Sequence, residues 1–157
     1  MIQSFAPIIP DKPTVLILGT MPGVASLQQQ QYYGHPRNHF WKIIAHLYNA
    51  EIPQVYEDRK AILLQNNIAL WDVLEFCERE GSLDIAIKNP VPNQILKLLA
   101  EQPNITKILF NGKESHKLFI KHFGILDDVM YLVVPSTSPA HTMKFELKLE
   151  AWRKALL

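Results

Sequence analysis

The stretch that decides the fold reads Thr14-Val15-Leu16-Ile17-Leu18-Gly19-Thr20-Met21-Pro22-Gly23. Its unbroken apolar run favours a short strand that is buried on both faces and passes directly into a tight loop. Three further apolar runs of strand length follow, at residues 68–73, 107–110 and 131–134. Segments with helical spacing lie between and after them, at residues 40–48, 55–65, 94–100, 115–122 and 145–157. This alternation predicts an α/β fold with a parallel sheet covered by helices on both faces.

Length and composition restrict the class of protein. A chain of 157 residues with 48% apolar and 20% charged residues predicts one globular domain, residues 1–157. The single cysteine, Cys77, excludes an intramolecular disulfide, a Cys-rich zinc site and a four-thiolate iron–sulfur cluster. No apolar run approaches the ~20 residues that cross a bilayer, and no signal peptide is evident. We therefore expect a cytoplasmic monomer with no metal, no cofactor and no membrane partner.

The formal charge of +1 conceals an uneven distribution. Residues 51–84 hold eight acidic and three basic side chains, residues 1–50 hold one and three, and residues 85–157 hold six and ten. The candidate loops lie mostly in the two positive portions. A basic face is therefore compatible with a nearly neutral molecule.

In an open parallel sheet, ligands bind beyond the carboxyl ends of the strands. The residues at these positions are the first loop (residues 19–23), Asp72, the Asn111-Gly112-Lys113 turn and the last loop (residues 135–141). In the first loop, Gly19 and Gly23 would let the backbone approach a flat ligand closely. A plain strand-to-helix connection would explain the same loop.

The aromatic segment, residues 32–41, reads Tyr32-Tyr33-Gly34-His35-Pro36-Arg37-Asn38-His39-Phe40-Trp41. Its aromatic rings suit stacking on a planar ligand, Arg37 suits a phosphate, and Asn38 supplies an uncharged donor and acceptor. Alternatively, Phe40 and Trp41 begin a helix and face the core.

A metal site at His35 and His39 is disfavoured. Their spacing would place both side chains on one helical face, but Pro36 opposes a helix there and no third ligand is evident.

The Asn111-Gly112-Lys113 turn allows two interpretations. The Asn111 amide can donate and accept at once, as reading a base edge requires, or the pair is simply a turn that favours Asn-Gly. A P-loop is excluded because Lys107 and Glu114 stand where that motif requires Gly and Ser or Thr.

The last loop reads Pro135-Ser136-Thr137-Ser138-Pro139-Ala140-His141 and offers three hydroxyls and a histidine on a proline-stiffened backbone. Such a loop can bind phosphates without adding net charge. A Ser–His hydrolase is the rival interpretation, but no Gly-x-Ser-x-Gly elbow is present. Asp72 is either an acid–base group or the cap of a following helix, and Cys77 is expected to be buried.

Taken in order, these segments resemble the motifs of the uracil-DNA glycosylase superfamily. The first and last loops match its two main motifs in type and place. Within the superfamily, the chain most resembles the hypoxanthine-DNA (deoxyinosine) glycosylases. That resemblance is carried by residues 32–33, 38–41, 70–74, 81–84 and 110–112.

The resemblance implies a three-layer α/β/α sandwich around a four-stranded parallel sheet. It also implies a monofunctional DNA glycosylase that flips a deaminated base from DNA and excises it in base excision repair. Asn38 would be the catalytic amide and Asn111 would read the base edge. The remaining implied contacts are, to the base, Gly19, Thr20, Met21, Pro22, Gly23, Tyr33 and Phe40 and, to the DNA strand, Arg37, Lys113, Ser136, Thr137, Ser138, Pro139 and His141.

One departure bears on the substrate. Thr20 and Met21 stand where many superfamily members carry an Asp or Asn that activates water, which speaks against ordinary uracil activity. The alternatives are a uracil or mismatch glycosylase of the same fold, a catalytically inactive DNA-binding relative and a small-molecule hydrolase.

Overall fold

A computed structural model describes residues 1–157. The strands are β1 (Ile2–Gln3), β2 (Val15–Gly19), β3 (Ile68–Asp72), β4 (Leu74–Glu78), β5 (Lys88–Pro92), β6 (Lys107–Asn111) and β7 (Met130–Val134). The helices are α1 (Val24–Gln29), α2 (Phe40–Leu47), α3 (Tyr56–Gln65), α4 (Ile95–Glu101), α5 (Lys113–Phe123) and α6 (Phe145–Leu156).

The central sheet has four parallel strands in the order β3-β2-β6-β7. Val15 of β2 pairs with Ile68 of β3 on one side and with Lys107 of β6 on the other. Lys107 in turn pairs with Met130 of β7. The four predicted strands thus form one parallel sheet, and their carboxyl ends meet along one edge.

Strand β2 supplies side chains to both cores, as its unbroken apolar run predicts. Val15 and Ile17 pack on one face against buried residues of α2, α3 and α6. Leu16 and Leu18 pack on the other face against buried residues of α4 and α5. The predicted three-layer α/β/α sandwich is confirmed.

A second sheet, with the antiparallel order β1-β4-β5, was not predicted. Strand β5 contains Pro90 and Pro92 and has no apolar run, which is compatible only with an edge strand. Cys77 of β4 is fully buried, as expected. The hairpin between β4 and β5 extends this sheet toward the carboxyl edge of the central one.

The helices are all short. None is long and apolar enough to cross a membrane.

Candidate functional site

A cavity of about 800 Å³ opens at the carboxyl edge of the central sheet. The loops after β2, β6 and β7 and the last residue of β3, Asp72, all contribute to it, as the position of the strand ends predicts. Most of the sequence-predicted site residues line it, namely Gly19, Thr20, Met21, Pro22, Gly23, Tyr33, Asn38, Asp72, Asn111, Lys113, Ser136, Thr137, Ser138, Pro139 and His141.

Phe40 does not reach the cavity, which corrects the expectation that it contacts the base. Its ring is fully buried and stacks on Tyr33, with ring centres 4.2 Å apart and an interplanar angle of 27°. Tyr33 lines the cavity instead, with its backbone in the left-handed region at φ 54°. Trp41 is buried in the core and donates from Nε1 to the Tyr32 carbonyl. Arg37 is exposed and lies outside the cavity lining.

Asn38 lies just before α2, half-buried in the cavity wall. Its Oδ1 accepts a hydrogen bond of 2.9 Å from the backbone N–H of Phe40, which fixes the amide plane. Because a backbone N–H can only donate, the atom bound to it must be the oxygen, so the amide nitrogen is the free end. Asn38 therefore offers two N–H donors from a fixed position.

Asn111, at the end of β6, is bound to Thr137 of the last loop. Thr137 N–H donates to Asn111 Oδ1 at 2.9 Å, and Asn111 Nδ2 donates to Thr137 Oγ1 at 3.0 Å. Both residues are buried. The Asn111 amide thus joins two loops, and only one N–H remains for a ligand.

The last loop is also held by two residues of α6 and by the residue that precedes α2. Trp152 Nε1 donates to the Pro135 carbonyl at 3.0 Å, and Lys148 Nζ donates to the Ser138 carbonyl at 3.3 Å. The backbone N–H of His39 donates to the Thr137 carbonyl at 3.0 Å.

Two hydroxyls are engaged within the last loop. Ser136 Oγ accepts from Ser138 N–H, and Ser138 Oγ accepts from Ala140 N–H. These contacts fix the loop backbone.

The floor of the cavity consists of Gly19, Tyr33 and Asp72. A Cβ on Gly19 would lie 2.6 Å from Asp72 Oδ1 and 2.8 Å from Tyr33 Oη, so only glycine allows both oxygens to approach the backbone. Asp72 Oδ2 and Tyr33 Oη are buried without a hydrogen-bond partner. Asp72 therefore caps no helix.

Burial raises the pKa of Asp72 to about 7, and the nearby Asp84 carboxylate adds to this increase. Arg79 acts in the opposite direction. Burial, with the negative charge of Asp72, also raises the pKa of Tyr33, which keeps its phenol protonated.

The β4–β5 hairpin forms a wall of the cavity that the residue properties of the sequence did not predict. Ser82, Leu83, Asp84 and Ile85 line the cavity, and Ile85 is 90% exposed. The segment has neither strand periodicity nor an apolar run, and its only signal was its likeness to a family motif.

The hairpin is joined to the first loop. Ser82 Oγ accepts from Val24 N–H at 2.9 Å. Arg79 donates to the carbonyls of Pro22 and Gly81.

The cavity lining is not basic, contrary to the charge pattern of the sequence. Asp72, Asp84 and Glu114 line it against a single lysine, Lys113. No group of three or more His, Cys, Asp or Glu side chains is placed to hold a metal ion. An uncharged or only partly charged group suits this cavity better than a bare phosphate.

Comparison with known proteins agrees with this geometry. The profile of the uracil DNA glycosylase superfamily matches residues 6–156. A protein from Methanosarcina barkeri named hypoxanthine DNA glycosylase is 33% identical over 156 residues, which cover 98% of this chain and 96% of the relative. A protein of the same name from Methanosarcina acetivorans is 34% identical over 114 residues, 72% of each chain.

A solved structure has the same fold. The solution NMR structure of a candidate uracil DNA glycosylase from Methanosarcina acetivorans superposes with a TM-score of 0.81 at 30% identity. The match covers 97% of this chain and 94% of the other.

Proposed function

The chain belongs to the uracil DNA glycosylase superfamily, and on this premise we propose that it is a monofunctional, single-domain DNA glycosylase whose preferred substrate is hypoxanthine in DNA. The observation that carries the proposal is the cavity. It joins one aromatic wall, Tyr33, and one free amide, Asn38, to a floor with unpartnered oxygens. The choice of hypoxanthine is supported by the relatives of that name.

The size of the cavity supports a flipped base. At about 800 Å³ it falls within the range of roughly 300–1,000 Å³ for small-molecule sites, enough for a purine and its sugar. Extruding a base from a duplex costs a few kcal/mol and costs least when the base is mispaired, as hypoxanthine is opposite most partners. The face of Tyr33 that is not covered by Phe40 is the proposed stacking surface.

The reaction is a hydrolysis of the N-glycosidic bond. A water oxygen bonds to C1′ of the sugar, the C1′–N9 bond breaks, and its electron pair leaves with the purine. The proton released from water ends on the departing base, so the products are free hypoxanthine and an abasic site. Positive charge develops on the sugar and negative charge on the purine, and donors aimed at the purine lower the barrier.

Asn38 acts on the water or the sugar rather than as a base. An amide does not titrate near neutral pH, so it cannot remove a proton. Its fixed Nδ2 can orient the attacking water or hold the sugar. More of the rate enhancement must then come from contacts to the leaving purine.

The last loop is proposed to bind the DNA strand. Its backbone is fixed from behind by Trp152, Lys148 and Asn111. Ser136, Ser138, Pro139 and His141 line the cavity together with Lys113. Thr137 is fully buried and bound to Asn111 and His39, so it supports the loop and does not contact the strand, contrary to the sequence-based expectation. Arg37 is exposed outside the cavity lining, where its positive charge is proposed to meet a phosphate of the strand. Phosphate contacts of this kind position the strand without reading its sequence.

The test is a panel of duplexes that contain hypoxanthine, uracil, xanthine or only normal bases, incubated with the protein and then cleaved with alkali at abasic sites. We expect strand breaks at hypoxanthine, free hypoxanthine in the supernatant and no DNA adduct trapped by borohydride. Cleavage mainly at uracil would support the alternative of a uracil glycosylase. Duplex binding with no released base would overturn the proposal in favour of an inactive relative.

A further inference from the structure

Asp72 is the one carboxyl group of the cavity with a fully buried oxygen that has no hydrogen-bond partner. It lies at the end of β3, opposite Gly19 in the parallel ladder, and the residue is 3% exposed. Its backbone carbonyl accepts from Asn93 Nδ2, but Oδ2 of its side chain is buried with no partner. A carboxylate in such a place lacks the donors that normally stabilise its charge.

The groups around Asp72 favour its neutral form on balance. Burial acts first and Asp84 second, and both raise its pKa, whereas Arg79 lowers it. The guanidinium of Arg79 donates from Nε to the Gly81 carbonyl and from Nη2 to the Pro22 carbonyl. Its Nη1 is buried without a partner, so Arg79 makes no hydrogen bond to Asp72. The other titratable groups near Asp72 or in the same cavity are Tyr32, Tyr33, Tyr56, His35, Lys113, Glu114 and His141.

Resting on the proposed function, we propose that Asp72 reads the edge of the flipped base as a neutral carboxylic acid, with Oδ1 as the atom that meets the base. Oδ1 and Tyr33 Oη approach the same point above Gly19, so the carboxyl lies beside the proposed stacking ring. Asn111, whose amide is bound to Thr137, then positions the last loop instead of reading the base.

The chemistry of this contact distinguishes a deaminated base from the amino-bearing base it derives from. Deamination replaces an exocyclic amino group, a donor, with a carbonyl oxygen, an acceptor. A protonated Oδ1 donates to that carbonyl, whereas an ionised carboxylate would repel it. During cleavage the same O–H stabilises the negative charge that develops on the purine. Asp72 thus contributes to both the choice of base and the departure of the leaving group.

DNA binding should also favour the neutral form of Asp72. Phosphate charges near the mouth of the cavity, and the exclusion of water by the bound base, both favour the neutral form of a carboxyl group. The single lysine of the lining, Lys113, cannot cancel a run of phosphates. DNA binding is therefore expected to raise the pKa of Asp72 further and to increase its protonated fraction at neutral pH.

The test compares wild-type protein with Asp72→Asn and Asp72→Leu in single-turnover excision of hypoxanthine between pH 6 and pH 8. The wild-type second-order rate should fall about tenfold across this window, as a group with a pKa of about 7 that must be protonated requires. Asp72→Asn keeps a neutral donor, so its rate should stay within about tenfold of wild type at pH 6 and show no fall. Asp72→Leu should lose roughly 10²-fold while duplex affinity changes little.

Two outcomes would overturn the inference while leaving the proposed function intact. One is a wild-type rate that rises with pH together with an Asp72→Asn variant as inactive as Asp72→Leu, since an ionised Asp72 would then be the active form. The other is near-normal excision by Asp72→Leu. Failure of the wild-type protein to release any base from the panel would instead contradict the proposed function.

Discussion

Two regions that line the same cavity differ in whether their polar groups have hydrogen-bond partners within the protein. In the last loop, the carbonyls of Pro135, Thr137 and Ser138 all accept hydrogen bonds from the protein behind them. On the floor, Tyr33 Oη and Asp72 Oδ2 are buried without partners. A polar group left unpaired inside a protein costs stability, so its presence beside a cavity indicates a site shaped for a ligand. We infer that the loop backbone is held in place by the protein and that the floor is where the base binds.

The sharpest test of this contrast is the stability of Asp72→Asn. The pKa of Asp72 rises from 3.8 to about 7 on folding, so the folded state holds its proton more tightly than the unfolded chain. Stability from this group is complete below pH 4 and is lost as pH rises to about 7. At pH 8 the variant should therefore be more stable than wild type, by up to about 4 kcal/mol.

Denaturant unfolding at pH 4 and pH 8 measures this difference. Asp127→Asn is the matched control, because Asp127 is exposed and should show no such dependence on pH. An Asp72→Asn variant whose advantage is the same at both pH values would mean that the floor carboxyl is not held neutral.

The next largest effect is expected in catalysis, at Asn38. Asn38→Ser keeps an oxygen that can accept from the Phe40 N–H but removes the free amide nitrogen. Single-turnover excision of hypoxanthine should fall by roughly 10²-fold, the scale of one well-placed catalytic donor. The exposed Asn104→Ser serves as the control, and near-normal excision by Asn38→Ser would remove Asn38 from the catalytic role.

Removing the hydrogen bonds that hold the last loop should destabilise the protein, whereas Asp72→Asn on the floor should stabilise it at pH 8. Asn111→Leu leaves the Thr137 N–H without a partner in a buried place. The free energy of unfolding should fall by about 1–3 kcal/mol, as measured in denaturant. Excision and duplex binding should fall together because the loop loses its position. A loss of cleavage with normal duplex binding would instead indicate that Asn111 contacts the base.

The smallest predicted effect is on the salt dependence of duplex binding. It distinguishes a lysine that contacts a phosphate from a lysine that only holds the last loop. Lys113→Ala should lower the slope of log affinity against log salt by about one, because exposed Lys113, which lines the cavity, is proposed to neutralise a phosphate. Lys148→Met should weaken duplex binding with the slope unchanged, since Lys148 is 1% exposed and holds Ser138 instead. Equal changes of slope in both variants would place Lys148 on the DNA.

The architecture was predictable because its signals are local. Strand β2 is apolar at every position, and Val15 and Leu16 pack into different cores, which is the arrangement that such a run indicates. The edge where the cavity opens followed from the parallel order of the strands. Strand β5 was not predicted because it contains prolines and its positions are mostly exposed. The cavity wall from Ser82 to Ile85, which precedes it, was therefore not predicted either.

Roles within the site were less predictable than its place. Phe40 and Tyr33 are both aromatic and close in sequence, and only packing shows that one ring covers the other. Asn111 has the chemistry of a base reader, but its partner Thr137 is 26 residues away in the chain. The protonation state of Asp72 depends on its burial and on the nearby Asp84 carboxylate. Neither can be predicted from the position of an aspartate at the end of a strand.

The carboxyl group of Asp72 on the cavity floor is proposed to be neutral where the base binds. The most direct measurement is the titration of the Asp72 carboxyl carbon by ¹³C NMR, in the free protein and bound to a non-cleavable duplex that contains 2′-fluoro-deoxyinosine. We expect an apparent pKa of about 7 in the free protein and a higher value in the complex. Titration near the ordinary value of 3.8, in either state, would contradict it.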